Sequence, residues 1–140
     1  MNLTALLTDN VTEMLVKIVE FTRRRQKVII RNIINVHNPE FIPEELEVNE
    51  FSSLVDGAVD EHVRNHQLVL RDTENVKFGA DGSLEIRTIV DKESKRLLEE
   101  NQDQYLDRQM DKLWENSLNQ KVAAELLRHK QGLLPSVSYF

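Results

Sequence analysis

Two imidazoles one helical turn apart, His62 and His66 with Glu61 beside them, are the first residues in this chain whose types and spacing could do chemistry. An i, i+4 pair is how a helix presents two zinc ligands. Position 63, however, is Val where a zinc protease carries its catalytic Glu, and no third ligand follows at a metal-site spacing. The pair reads as a solvated helix face beside an acidic patch. Asp81-Gly82 lacks the other oxygen ligands of a calcium loop and reads as a turn. No Ser, His and Asp set is placed by a nucleophile motif, and no Gly-rich phosphate loop occurs. The carboxylates are spread as helix surface instead of being paired as acid and base. The reading is of a protein that is not an enzyme, with no metal, no cofactor and no small-molecule substrate.

The remaining chemistry is charge. Arg23-Arg24-Arg25, Lys27 and Arg31 crowd one stretch, whereas residues 40–61 hold eight acidic residues and no Lys or Arg. The chain as a whole has 18 basic and 24 acidic residues, a net charge of −6, which argues against a general nucleic-acid binder. The basic cluster is therefore expected to contact the acidic segment of the same or a neighbouring protomer. With 140 residues, 40% hydrophobic and 6% aromatic, the chain is too apolar for a disordered tail and has few large side chains for a core. It reads as one domain or an extended protomer. Cys is absent, which removes disulfides, thiol catalysis and thiolate metal sites. The first residues have no basic lead, and Asp9, Glu13 and Lys17 interrupt the apolar positions, so no cleaved signal peptide is expected.

These residues have to be positioned by helices. Leu7, Val11, Met14, Ile18 and Phe21 recur at spacings of four and three, and no Gly or Pro occurs before Pro39. One helix over about 3–36 is predicted, ended by His37-Asn38-Pro39. Phe51, Leu54, Val55, Ala58 and Val59 predict a short helix over about 50–65. Val76 and Phe78, then Leu84 and Ile86 through Thr88, alternate around Gly79-Ala80-Asp81-Gly82, which predicts a β-hairpin. From Asp91, a candidate N-cap, to the stop at Gly132, a second long helix is predicted. Its stripe runs through Leu106, Met110, Leu113, Ala124, Leu127 and Leu134, with Trp114, Leu118, Val122 and Leu126 beside it. The fold class is thus mainly α. Two long terminal helices are expected to pack as an antiparallel coiled-coil-like pair, with a short helix and a small β-hairpin in the middle. The segments are 1–48, 49–100 and 101–140, in one structural unit.

The stretch from Arg25 to Phe41 resembles the N-terminal signature of the bacterial flagellar basal-body rod protein family. There a helix carries Asn-Ile-Ala-Asn and breaks at Thr-Pro-Gly-Tyr. Asn32, Ile33, Asn35, Pro39 and the aromatic Phe41 match, while Ile34, Asn38 and Glu40 stand in place of Ala, Thr and Gly. Near the other end, Leu106-Asp107-Arg108-Gln109-Met110, Leu113-Trp114-Glu115-Asn116-Ser117-Leu118, Glu125-Leu126-Leu127 and Gly132-Leu133-Leu134 follow the proximal-rod members without gaps. The resemblance covers about residues 1–50 and 101–137. The family's Asp-Gly-Asn-x-Val before the last helix is replaced by Asn101-Gln102-Asp103-Gln104-Tyr105, which suggests a helix running further upstream.

The resemblance implies a structural subunit whose terminal helices pack into a helical axial tube, a heterologous assembly repeated by a screw operation. It implies export through the flagellar type III apparatus and a place in the periplasmic rod of the basal body. The implied partners are copies of itself, FlgC-like and FlgF-like rod proteins, a FliE-like adaptor and membrane-ring components. Packing then falls to Leu7, Val11, Met14, Ile18, Phe21, Met110, Leu113, Leu118, Leu127 and Leu134, and subunit contact to Asn32, Asn35, Pro39 and Phe41. The rival readings are another axial rod protein and a cytoplasmic helical adaptor or chaperone.

Overall fold

A stretch free of Gly and Pro gives the backbone no reason to leave the helix. In the computed structural model, which describes residues 3–79 and 83–132 and the side chains of 10–79, 83–130 and 132, helix α1 runs over Leu3–Ile34. Its last turn is tied off by Asn35, whose Nδ2 donates to the Arg31 carbonyl at 2.8 Å and satisfies an acceptor at the helix end. Past Pro39 the chain folds back: Glu40 N–H donates to Asn38 Oδ1 (3.2 Å) and Phe41 N–H to the Asn38 carbonyl (3.1 Å), an Asn-centred turn.

The chain then forms strand β1 (Glu44–Leu46) and helix α2 (Val48–Asn65). α2 ends at His66 in the left-handed region (φ 54°), its N–H on the His62 carbonyl. Strands β2 (Val76–Phe78) and β3 (Leu84–Ile86) make the expected antiparallel hairpin, with Val76 opposite Ile86 and Phe78 opposite Leu84. Its tip, including Asp81 and Gly82, lies outside the described residues. The alternation through Thr88 does not belong to one hairpin arm. A separate strand β4 (Thr88–Val90) crosses to β1, pairing Glu44 with Val90 and Leu46 with Thr88.

The second long helix is two helices, α3 (Lys92–Glu100) and α4 (Gln102–Gly132). Asn101 breaks the expected continuous run. Its backbone is extended (φ −155°, ψ 95°), its N–H closes α3 on Leu97, and its Oδ1 caps α4 by accepting from Gln104 N–H at 3.1 Å. Asp91 is the N-cap of α3, accepting from Ser94 N–H as expected.

The described part is mainly helical and its core lies in three clusters. Phe21 stacks on Phe51 (ring centroids 4.1 Å apart) beside Leu46, Val76 and Leu84. Leu15 and Val19 meet Ala123 and Leu127. Val36 meets Leu97, Leu98 and Tyr105, with Phe41 and Leu106 packed against them. No helix among the described residues is long and apolar enough to cross a membrane.

Candidate functional site

The matched signature residue Asn32 is buried, 1% exposed. Its carboxamide grips β1 as a neighbouring strand would: Nδ2 donates to the Glu44 carbonyl at 2.9 Å, and Oδ1 accepts the Glu44 N–H at 3.2 Å. Nδ2 also donates to Gln109 Oε1 on α4 at 3.0 Å. The Asn32 carbonyl accepts the Tyr105 hydroxyl at 2.7 Å. Burial, with the Asp91 charge nearby, pushes the Tyr105 hydroxyl up to about 12. Gln109 Nε2 then donates to Ser94 Oγ at 2.8 Å, and Arg108 Nε reaches the same oxygen at 2.9 Å. The helix break, β1, the start of α3 and α4 are thus tied to one carboxamide.

An ionic layer continues the network. Arg25 holds both oxygens of Glu45 at 3.2 Å, a bidentate pair, and its third nitrogen reaches Glu115 at 3.4 Å. Lys112 bridges Glu45 (2.8 Å) and Asp91 (2.7 Å), and Arg108 adds a bond to Asp91 at 3.1 Å. Burial alone raises both carboxyl groups, but bonds to Arg25 and Lys112 outweigh it at Glu45, and bonds to Lys112 and Ser94 outweigh it at Asp91. Both groups lie below their ordinary values. The expected contact between the basic cluster and the acidic segment is made within the chain by Arg25 to Glu45 and Arg31 to Glu44 (3.4 Å). Among the described residues Thr12 Oγ1 is the one buried side-chain polar atom without a hydrogen-bond partner. Ser94 is sealed from solvent, while Arg108, Lys112 and Glu115 carry the outer side of the network. What this arrangement does is hold elements together.

The packing expected of α4 is turned. Its buried face is Tyr105, Gln109, Asn116, Ala123 and Leu127, with Asn116 Nδ2 on the Thr22 carbonyl at 2.7 Å. Met110 (52% exposed) and Leu118 (48%) do not pack inside the chain as expected; they lie on its outer surface with Trp114 (70%), Val122 and Leu126. The reason is the partner helix, because α1 offers Arg25, Asn32 and the Thr22 carbonyl at this level, and only polar side chains answer them. The inner residues recur at spacings of four and seven, so a heptad seam with polar members at Gln109 and Asn116 was the signal available in the sequence.

The other expected residues divide. Met14 and Leu127 are buried, Val11 and Ile18 pack partly against the Leu15 and Val19 cluster, and Leu113 is half-buried. Phe21 is buried, but on Phe51 of α2 and not in a seam with α4. Asn32 is enclosed by its own chain and Asn35 bonds its own helix, whereas Pro39 is exposed and Phe41 half-buried. The Leu7 side chain and all of Leu134 lie outside the described residues. His62 and His66 stand edge to face at 6.2 Å, with Asn10 near His62, and no group of three His, Asp or Glu that could hold a metal occurs among the described residues.

A groove of about 310 Å³ opens between α1, α2 and α4, lined by Leu15, Ile18, Phe51 and Val55 and by Val122 and Leu126 of the outer stripe. Two kinds of surface therefore stand out, a closed polar clasp and an open apolar stripe. Set against models of known protein families, curated proteins and solved structures, the chain matches none of them.

Proposed function

We propose that this chain is a structural subunit of the bacterial flagellar basal-body rod, similar to the proximal-rod protein FlgB. It assembles with itself and with other rod proteins into a helical axial tube that transmits motor torque, and it catalyses nothing. The single observation that carries the reading is the bond from Asn32 to Gln109, because it joins the two segments that resemble the family, one at each end of the chain. Contacts ascend α1 as they descend α4, from Leu15 and Val19 with Ala123 and Leu127, through Thr22 with Asn116, to Val36 with Tyr105. In this reading the terminal helices are an antiparallel coiled-coil-like pair with a polar centre, and the exposed row from Met110 to Leu126 is the face left for neighbours.

A sibling axial protein such as FlgC shares the Asn and Pro signature, but the run Glu115-Asn116-Ser117-Leu118 through Leu133-Leu134 favours FlgB. The groove between α1, α2 and α4 favours the second reading, a cytoplasmic helical adaptor or chaperone that receives a partner's helix. Deleting the gene in the source organism and restoring it from a plasmid separates the two. The rod reading expects cells without filaments or swimming, with both restored by the plasmid copy. Normal filaments in the deletion strain overturn it.

A further inference from the structure

Arg23, Lys27, Ile30 and Ile34 lie along one face of α1, the side opposite the buried Phe21, Arg25 and Asn32. Arg24 and Arg31 flank that strip. Arg23, Arg24 and Lys27 are exposed and have no carboxylate within ion-pair distance among the described residues, although the chain has a net charge of −6. Ile30, 41% exposed, follows Lys27 along the strip, and Ile34, 74% exposed, ends it.

The outward face of α4 is the counterpart. Asp103, Asp107 and Asp111 follow one another at i, i+4 spacing, all exposed and none in an ion pair among the described residues. Met110, Trp114 and Leu118 form a parallel ridge beside them. At 1.5 Å of rise per residue the two strips are about 16 and 22 Å long, comparable lengths for two helices to lie along one another. One strip is cationic and ends in two exposed aliphatic side chains, and the other is anionic with an apolar ridge. Because α1 and α4 bury the sides that face each other, their outer faces point away from one another, and one chain cannot join its own two strips.

We propose that the outer face of α1 in one copy docks on the outer face of α4 in a second copy, head to tail, with cations against aspartates and the two isoleucines against the apolar ridge. This rests on the self-association in the rod reading and names the surfaces that carry it. Like charges oppose α1 to α1 and α4 to α4, so the pairing is heterologous and each added copy leaves both kinds of strip free for the next.

The test uses the full chain with two surface variants, R23E/K27E and D107K/D111K, whose helical circular dichroism is compared first with that of the parent chain. In sedimentation velocity over a concentration series the parent chain forms species larger than a dimer, and its lone Trp114 shifts its fluorescence to the blue as they form. Each variant alone associates at least about tenfold more weakly. An equimolar mixture regains association beyond the dimer, because the intact α4 of R23E/K27E meets the intact α1 of D107K/D111K, and the reversed faces, an anionic α1 and a cationic α4, are again complementary. A parent chain that stays monomeric, one that stops at a dimer, variants that associate like the parent, or a mixture that associates no more strongly than either variant alone each overturn the proposal. Presence in the basal body is read separately, so either result can fail without the other.

Discussion

Asn32 and Gln109, 77 residues apart, share a 3.0 Å hydrogen bond at a point where both side chains are sealed from solvent. The bond fixes the register of α1 against α4, because Asn32 is committed at the same time to both backbone groups of Glu44. Sliding either helix by a residue would strand a buried carboxamide and two backbone groups.

Asn32→Ala removes three bonds and leaves Gln109 and the Glu44 backbone short of partners. It should cost roughly 2–4 kcal/mol, and Gln109→Ala roughly 2 kcal/mol. The double variant should lose less than the sum, with a coupling of at least about 0.5 kcal/mol. Urea unfolding followed by circular dichroism measures all three. Additive losses would show that the two residues do not act together.

The same residues mark what could be read in the sequence. α1, α2, the β2–β3 hairpin and the Asp91 cap were legible, because periodicity, an uninterrupted absence of Gly and Pro, and cap chemistry are local signals. The β1–β4 pair was not, since two three-residue strands matched across more than 40 residues carry no local pattern. Asn101 was missed although Asn followed three residues later by Gln has the form of a helix start. The inner face of α4 was misjudged for a physical reason. Hydropathy places apolar residues inward, but the polar groups that α1 presents at Thr22, Arg25 and Asn32 draw the polar face of α4 to them instead. Of the candidate site, the signature motif points to Asn32 as a subunit contact whereas its partners lie within the chain, and Tyr105, Ser94 and Lys112 carry no motif of their own.

Acid should loosen this fold. Asp91 and Glu45 lie below their ordinary values of 3.8 and 4.5 when folded, so their contribution is fully present above about those values. It is lost as pH falls through the lower folded values. Thermal unfolding should show stability level from pH 7 to about 5 and declining below it. Asp91→Asn should lower stability at pH 7 by roughly 2–3 kcal/mol and flatten the acid decline. An unchanged acid slope in that variant would remove Asp91 from the account.

Phe21 and Trp114 are both aromatic and their substitutions should differ sharply. Phe21→Ala opens a cavity against Phe51 and should cost about 3–5 kcal/mol. Trp114→Ala touches an exposed ring and should stay within about 0.5 kcal/mol. Denaturant titration of each variant decides; a large loss at Trp114 would mean that its ring packs inside the protomer.

Serine at Met110, Trp114 and Leu118 together should leave the unfolding midpoint of the isolated chain nearly unchanged, because all three are on its surface. In cells the same triple variant should swim poorly, having lost the apolar ridge that a neighbour covers. Wild-type swimming on soft agar, with the variant expressed at normal level, would show that this face has no role in assembly.

The central claim is that the chain is a rod subunit, and quantitative mass spectrometry of purified hook and basal-body complexes from the source organism tests it most directly. The account predicts this polypeptide in stable proportion to the other rod proteins across preparations. Its reproducible absence, with those proteins detected, would contradict the claim and favour the helical-adaptor reading.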